Sequence, residues 1–226
     1  MSGKETLTRA NLRTPKAAAV AGIVFSVLLI AIFWLIRLSV PGNPLEPGAW
    51  LMTHSDPVAL ALNLVPFAGI SFLWFIGVVR DRLGDLEDRF FSTVFLGSGL
   101  LFLAMLFSAA AIIGSTVLVA AVDPNSMMDT ASFHFARGVA YNIMNVYAIK
   151  MAGVFMISTS TVALQTGFAP RWTAVLGIIL ALIILLGSYY ITWSFIVLPV
   201  WVFLVSSCIL VADLRRPPQT GAGSVN

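Results

Sequence analysis

The chain has 226 residues, of which 59% are hydrophobic and 10% charged, with a formal net charge of +3 and a mean hydropathy of +0.95. So few polar groups cannot cover the apolar bulk of a water-soluble domain, and lipid must act as the solvent. The small positive charge comes without a basic patch interleaved with aromatics, so nucleic acid has no support as a partner, and the single cysteine, Cys208, rules out an internal disulfide.

A spanning helix needs roughly 20 mostly apolar residues, because it rises ~1.5 Å per residue through a ~30 Å hydrocarbon layer. Six segments are read as spans, over 17–38, 57–79, 91–122, 137–166, 173–188 and 194–214. They form one all-α transmembrane bundle over 16–216, with tails at 1–15 and 217–226 too short to fold alone. The first span follows Lys4, Arg9, Arg13 and Lys16, an arrangement superficially like a signal peptide. Its apolar stretch exceeds the ~7 to 15 residues of a signal core and no small-x-small site follows, so it is expected to be retained.

The connection after span one carries His54 and Asp56, and span two contains Pro66. Span three holds Gly97 and Gly99, read as sites of close helix contact, and is about ten residues longer than a bilayer requires. Asp123, Asp129 and His134 lie in the connection that follows. Imidazoles beside carboxylates could hold a divalent metal, and His54, His134 and Asp56 are the weak candidates. Their spacing fits no ligand motif, so neither a metal nor a cofactor is expected.

Span four is the most informative segment. Arg137, Tyr141 and Asn145 recur every four residues and share one face, with Asn142 at its margin. Lys150 is the single charge inside a long apolar run, and no Asp or Glu within any span can pair with it. These five residues suggest a polar cavity. Counting ~20 residues back from Phe168 gives a second reading, in which Lys150 snorkels at the outer boundary and spans three and four project outward as a hairpin, covered by loops or by another subunit. The hydroxyls of Ser158, Thr159, Ser160 and Thr161 are expected to bond back to their own helix or to neighbours.

Spans five and six are separated by the aromatic turn at 189–193, whereas a single helix over 173–214 would be ~60 Å long. Pro199 is expected to kink span six as Pro66 kinks span two, and Cys208 is read as a packing thiol. Threaded this way, Lys4, Arg9, Arg13, Lys16, Arg80, Arg82, Arg89, Arg171, Arg215 and Arg216 share one side, and only Arg37 and Arg137 lie on the other. By the positive-inside rule both termini are cytoplasmic.

Two resemblances accompany this reading. The segment Gly77-Val-Val-Arg80-Asp81-Arg82-Leu83-Gly84-Asp85 resembles the G-x-x-x-D-R-x-G signature between the second and third helices of major-facilitator transporters. It departs where that signature continues with basic residues, at Asp85 and Leu86, and the family has twelve helices; otherwise the segment is a short ion-paired turn. The plan as a whole, with Pro170-Arg171-Trp172 followed by Ala174-Val175-Leu176-Gly177, resembles the P-R-W-x-x-x-L-G segment of uncharacterised actinobacterial six-helix membrane proteins. That resemblance implies the fold and a bacterial cytoplasmic-membrane location, and no activity.

With no H-E-x-x-H, P-loop or G-x-S-x-G motif, an enzyme is not expected. Binding or transport of a small apolar or cationic compound ranks first. A structural or accessory subunit, docking a homo-oligomer or complex partner through the hairpin of spans three and four, ranks second. An intramembrane lipid-modifying enzyme ranks third, since no base and nucleophile pair can be named.

Overall fold

The computed structural model describes residues 14–43, 45–83, 89–123, 130–187 and 194–214, with the side chains at 14–18, 52, 81–83, 89–91 and 213 excepted. Every regular element among them is helical. They are α1 (Thr14–Ser39), the short α2 (Trp50–Thr53), α3 (Ser55–Leu83), α4 (Arg89–Val122) and α5 (Ala131–Asn142). After α5 come a π-helical segment (Ile143–Ala148), α6 (Ile149–Thr166), α7 (Arg171–Gly187), a 3₁₀ turn (Ser194–Ile196) and α8 (Val197–Leu214). Five stretches are long and apolar enough to cross a membrane, with α5, the π segment and α6 counted as one, and α7 is a shorter apolar helix. The aromatic turn at 189–193, the tails and the acidic end of the transporter-like signature lie outside the described residues; Gly77 to Leu83 continue α3 as helix.

The helices alternate in direction, and small residues mark where they meet. α1 packs between α3 and α8. A Cβ added at Gly22 would lie 2.9 Å from Phe75 and closer still to Ser206 Oγ, so only glycine admits both neighbours. Gly99 similarly lets α4 approach Ile76 and Phe155, confirming its expected role, whereas Gly97 has no atom within 4 Å of an added Cβ. Phe72 is the hub of the core, with ring centroids 4.5 Å from Phe25, 5.6 Å from Phe102 and 5.0 Å from Phe155, so that α1, α3, α4 and α6 share one aromatic cluster. Offset and tilted rings of this kind add to the burial of their area.

α6 ends at Gly167, whose φ of 68° is the left-handed conformation that closes a helix, and its N–H donates to Ala163 O at 2.9 Å. Pro170 O then accepts from the backbone N–H of Thr173 at 3.0 Å and from its hydroxyl at 2.7 Å, starting α7. α7 packs chiefly on α6, and Gly177 lies where α6, α7 and α8 meet, against Ser160 and Trp201. Trp201 Nε1 donates to Thr173 O at 3.1 Å across this junction. These contacts give a packing reason for the P-R-W-x-x-x-L-G segment.

Two sequence expectations change. Pro199 lies closer to the start of its span than a mid-helix kink requires: it is the third residue of α8, directly after the 3₁₀ turn, in the first α-helical turn where a missing N–H costs little. The Ser158, Thr159 and Thr161 hydroxyls do bond back to the carbonyls four residues earlier, at 3.0, 2.7 and 2.9 Å, but the buried Ser160 Oγ has no hydrogen-bond partner.

Candidate functional site

At the end of the bundle formed by the C-terminus of α1, the start of α3, the second half of α4 and all of α5 lies a partly open cavity of about 220 Å³. This end, which carries the connections at 40–54 and 123–130, is called the loop end, and the opposite one the terminal end. The cavity floor is apolar, formed by Ile32 and Phe33 of α1, Leu62 and Val65 of α3, Leu106, Ala109, Ala110 and Ile113 of α4, Met144, and Phe195 from the turn before α8. Its polar side chains are Arg37, Arg137, Tyr141 and Asn145. Pro66 cannot donate to the Leu62 carbonyl one turn back, so the helix leaves one main-chain acceptor without its usual partner beside the cavity wall.

Arg137 is only 3% exposed, and its position is fixed by charged hydrogen bonds. Nη1 donates to Glu46 O at 2.7 Å, and Nη2 donates to Pro41 O at 3.0 Å and Asn43 O at 3.1 Å. A planar guanidinium with five donors can tie three carbonyls of an irregular segment, which an ammonium on a flexible stem cannot do with the same geometry. The cation also lies 5.6 Å from the centre of the Phe133 ring. Arg137 thus folds the 40–46 segment over the cavity.

The segment continues into a second, smaller core. Trp50 and Leu51 of α2 are buried against Val58, Ala120 and Phe133, with Val40, Leu62, Ile113 and Val117 around them. Gly48 permits it, since a Cβ there would lie 2.9 Å from Phe133 Cζ. Thr130 starts α5 by accepting from Phe133 N through its hydroxyl, at 3.2 Å. The inner face of the α4–α5 hairpin is therefore covered by the 40–54 connection, one of the two covers expected from sequence. Its outer face is not: Leu118, Val122 and Phe135 are 69%, 84% and 74% exposed.

Arg137, Tyr141 and Asn145 do share a face, and the π segment helps keep them there. In an α-helix each step of four residues overshoots a full turn by ~40°; the wider π turn, with its longer-range hydrogen bonds, rotates less per residue and opposes that drift. Asn145 Nδ2 donates to Tyr141 O at 3.0 Å, which leaves the amide oxygen and a second amide hydrogen for another partner. Arg37 reaches the cavity from α1 beside Gly42, where an added Cβ would lie 2.5 Å from Arg37 Nη1. In the sequence Arg37 is a topology marker; nothing in its local pattern signals that the chain returns to it.

The remaining sequence candidates lie elsewhere. Asn142 and Lys150 do not line the cavity, and both are exposed. Lys150 is ~24 Å along α6 from Thr166, near the far side of a ~30 Å layer and within reach of its surface for a snorkelling side chain. His54 is exposed, with Nδ1 2.8 Å from the Thr53 hydroxyl, and the His134 ring lies 5.5 Å from Phe133. Neither joins Asp56 in a group of three potential metal ligands among the described residues.

No protein-family model, curated protein or solved structure matches this chain.

Helix lengths set the depth of that cavity. α4 has 34 residues and the stretch Ala131–Thr166 has 36, which makes them ~51 and ~54 Å long. Even tilted by 40° they would reach ~39 and ~41 Å, more than the ~30 Å hydrocarbon layer. Part of these two helices thus stands outside the layer. Measured from the terminal end, Leu106 lies at ~26 Å, Asn145 at ~32 Å and Arg137 at ~44 Å. Along the helix axes the apolar floor is therefore nearer the terminal end than Arg137, which lies farthest from it.

Proposed function

We propose that the protein binds a small molecule in the loop-end cavity, as a membrane binding protein or transporter. It lies in the bacterial cytoplasmic membrane with both termini in the cytoplasm, as the distribution of basic residues and the resemblance to actinobacterial six-helix proteins suggest. The observation that carries this reading is the cavity itself, an apolar pocket with a few convergent polar groups, which is the usual form of a small-molecule site. Of the apolar or cationic compounds expected from sequence, the charge lining it argues against the cationic ones. Two guanidinium groups and no carboxylate are among the lining residues.

The test fills the cavity. Ala110→Phe places a ring among Ile113, Leu106 and Phe195, and the unfolding temperature of purified protein is then measured against a panel of anionic, neutral and cationic small molecules. At least one compound should stabilise the wild type and not the filled variant. A panel that stabilises neither protein, or both equally, rejects the reading.

A second reading, an accessory subunit docking a membrane partner, is favoured by the exposed Leu118, Val122 and Phe135 on the outer face of the α4–α5 hairpin, the far end of helices longer than the layer requires. Val122→Asp with Phe135→Asp should then abolish a cross-link between hairpins or to a partner. No cross-link in wild-type membranes would set this reading aside.

A further inference from the structure

Charge, size and hydrogen-bonding capacity together narrow the class of molecule that fits the cavity, given the small-molecule reading above, on which the choice of class rests. Neither arginine of the lining is open to a charged guest. Arg37 already has an interaction partner. Arg137 spends its donors on the Pro41, Asn43 and Glu46 carbonyls, and the Glu46 carboxylate acts on it electrostatically. An anion would have to displace these interactions to offset the loss of its hydration. A cation would meet two guanidinium groups and, among the lining residues, no Asp or Glu. The guest that loses least on entry is neutral.

A cavity of 150 Å³ lined by Leu, Ile and Phe accepts benzene, so one of about 220 Å³ accepts ~9 heavy atoms. Its floor suits a ring. Phe33 and Phe195 meet edge to face, with centroids 4.9 Å apart and planes at 63°, and Met144 adds a thioether to the same lining. A third ring gains offset or edge contacts with such a pair and with the sulfur. The polar capacity lies on the acceptor side. Asn145 Nδ2 donates to Tyr141 O, and Asn145 Oδ1 has no hydrogen bond among the described residues. The Leu62 carbonyl lacks its usual donor because Pro66 has no N–H. Tyr141 is 45% exposed, so water can serve its hydroxyl. Asn145 also belongs to the π segment, a distortion of the helix that is frequent at functional sites.

We infer that the cavity takes a neutral, single-ring aromatic molecule of ~9 heavy atoms that carries one O–H or N–H donor, with the ring over Phe33, Phe195 and Met144 and the donor on Asn145 Oδ1.

The probe is tritiated 4-ethylphenol, which has about nine heavy atoms and stays protonated at neutral pH. It is bound to the purified full-length protein in phosphatidylcholine nanodiscs, with binding to empty nanodiscs subtracted. 4-Ethyltoluene, benzoate and phenethylammonium are its hydrocarbon, anionic and cationic counterparts of equal size. 4-Ethylphenol should bind saturably. Relative to concentration in the lipid, it should bind roughly 2- to 12-fold more tightly than 4-ethyltoluene, the effect of one net hydrogen bond. Benzoate and phenethylammonium should not displace it. Asn145→Leu should remove the gap between phenol and hydrocarbon while hydrocarbon binding persists. Ala110→Phe should abolish both.

Equal binding of phenol and hydrocarbon by the wild type, or a gap that survives Asn145→Leu, refutes the pairing with Asn145 while the cavity remains a binding site. Displacement by benzoate or phenethylammonium as efficient as by unlabelled 4-ethylphenol refutes the neutral guest. Full binding in Ala110→Phe locates the ligand elsewhere and takes the small-molecule reading with it. No saturable binding by the wild type overturns the inference outright; the small-molecule reading then falls as well only if no compound of the panel stabilises the wild type over Ala110→Phe. Should Ala110→Phe fail to fold, Asn145→Leu and the charge series decide the matter alone.

Discussion

Replacing Arg137 with methionine keeps an unbranched stem and removes the guanidinium. Three carbonyls then lose a charged donor: those of Pro41, Asn43 and Glu46. Hydrogen bonds to charged groups contribute about 1.5–3 kcal/mol when no substitute donor is at hand. Here Asn43 and Glu46 are exposed, so water can replace part of the loss, and about 0.5–1.5 kcal/mol per bond is the better figure. The 40–54 connection should therefore open more easily by ~1.5–4.5 kcal/mol, a factor of roughly 12 to 1,600 in its opening equilibrium. Hydrogen exchange read by mass spectrometry measures this directly. The reporting amides are Leu51 N–H, bonded to Gly48 O at 2.9 Å, and His54 N–H, bonded to Trp50 O at 2.8 Å. Their exchange should accelerate by that factor while amides of α7, at the far side of the bundle, keep their wild-type rates. Arg137→Lys should fall between, since a point charge reaches one carbonyl but cannot tie three. Acceleration of less than ~3-fold in a monodisperse Arg137→Met protein would show that the second core of Trp50, Leu51 and Phe133 holds the connection unaided.

Two further outcomes follow from positions outside the cavity. Gly177→Ala would bring a Cβ to 2.6 Å from Trp201 Nε1 and closer to Ser160 Oγ, so it should destabilise by about 1–3 kcal/mol, seen as a fall in unfolding temperature that Ser160→Ala relieves only in part because Trp201 remains; an unchanged temperature would mean that α6 and α7 separate there without cost. In a Cys208→Ala background, Lys150→Cys should react with a membrane-impermeant maleimide at a rate within ~10-fold of an exposed connection site such as His54→Cys, and far faster than the buried Ser160→Cys. Equal protection of positions 150 and 160 would place Lys150 deep in the layer and undo the depth argument.

What the sequence discloses and what it hides divide along contact distance. The spans are legible because apolar length is a local property: 91–122 is observed as Arg89–Val122, and 57–79 as Ser55–Leu83. The face of Arg137, Tyr141 and Asn145 is legible for the same reason, since spacing by four is visible without knowing the neighbours. Lys150 is legible as a lone charge in an apolar run, and its exposure and absence from the cavity lining are not. Illegible were the contacts that join distant segments. Nothing near Arg137 indicates that its guanidinium meets the carbonyls of Pro41, Asn43 and Glu46, and nothing near Trp50 indicates that it closes a second core over Phe133. Arg37 was hidden by its own usefulness, because a cation at a helix end already has an explanation in topology. Pro199 shows the limit of residue type without position: three residues further along the ring would remove a hydrogen bond from the interior of α8, whereas in the first turn it is tolerated.

The π segment at Ile143–Ala148 has a consequence for how this protein can vary. A helix that closes some of its bonds one residue later than usual holds one residue more than the same rise and phase require. That surplus is slack. Removing a single residue there, Val146 for example, would let the turn tighten into ordinary α-helix while Arg137 on one side and Ile149 on the other keep their headings. The same deletion from the middle of α4 would swing everything beyond it by ~100° and pull Leu106 or Ile113 off the cavity floor. Among the described helices the π segment is thus where length can be edited without the faces being reshuffled, and it forms part of the pocket wall.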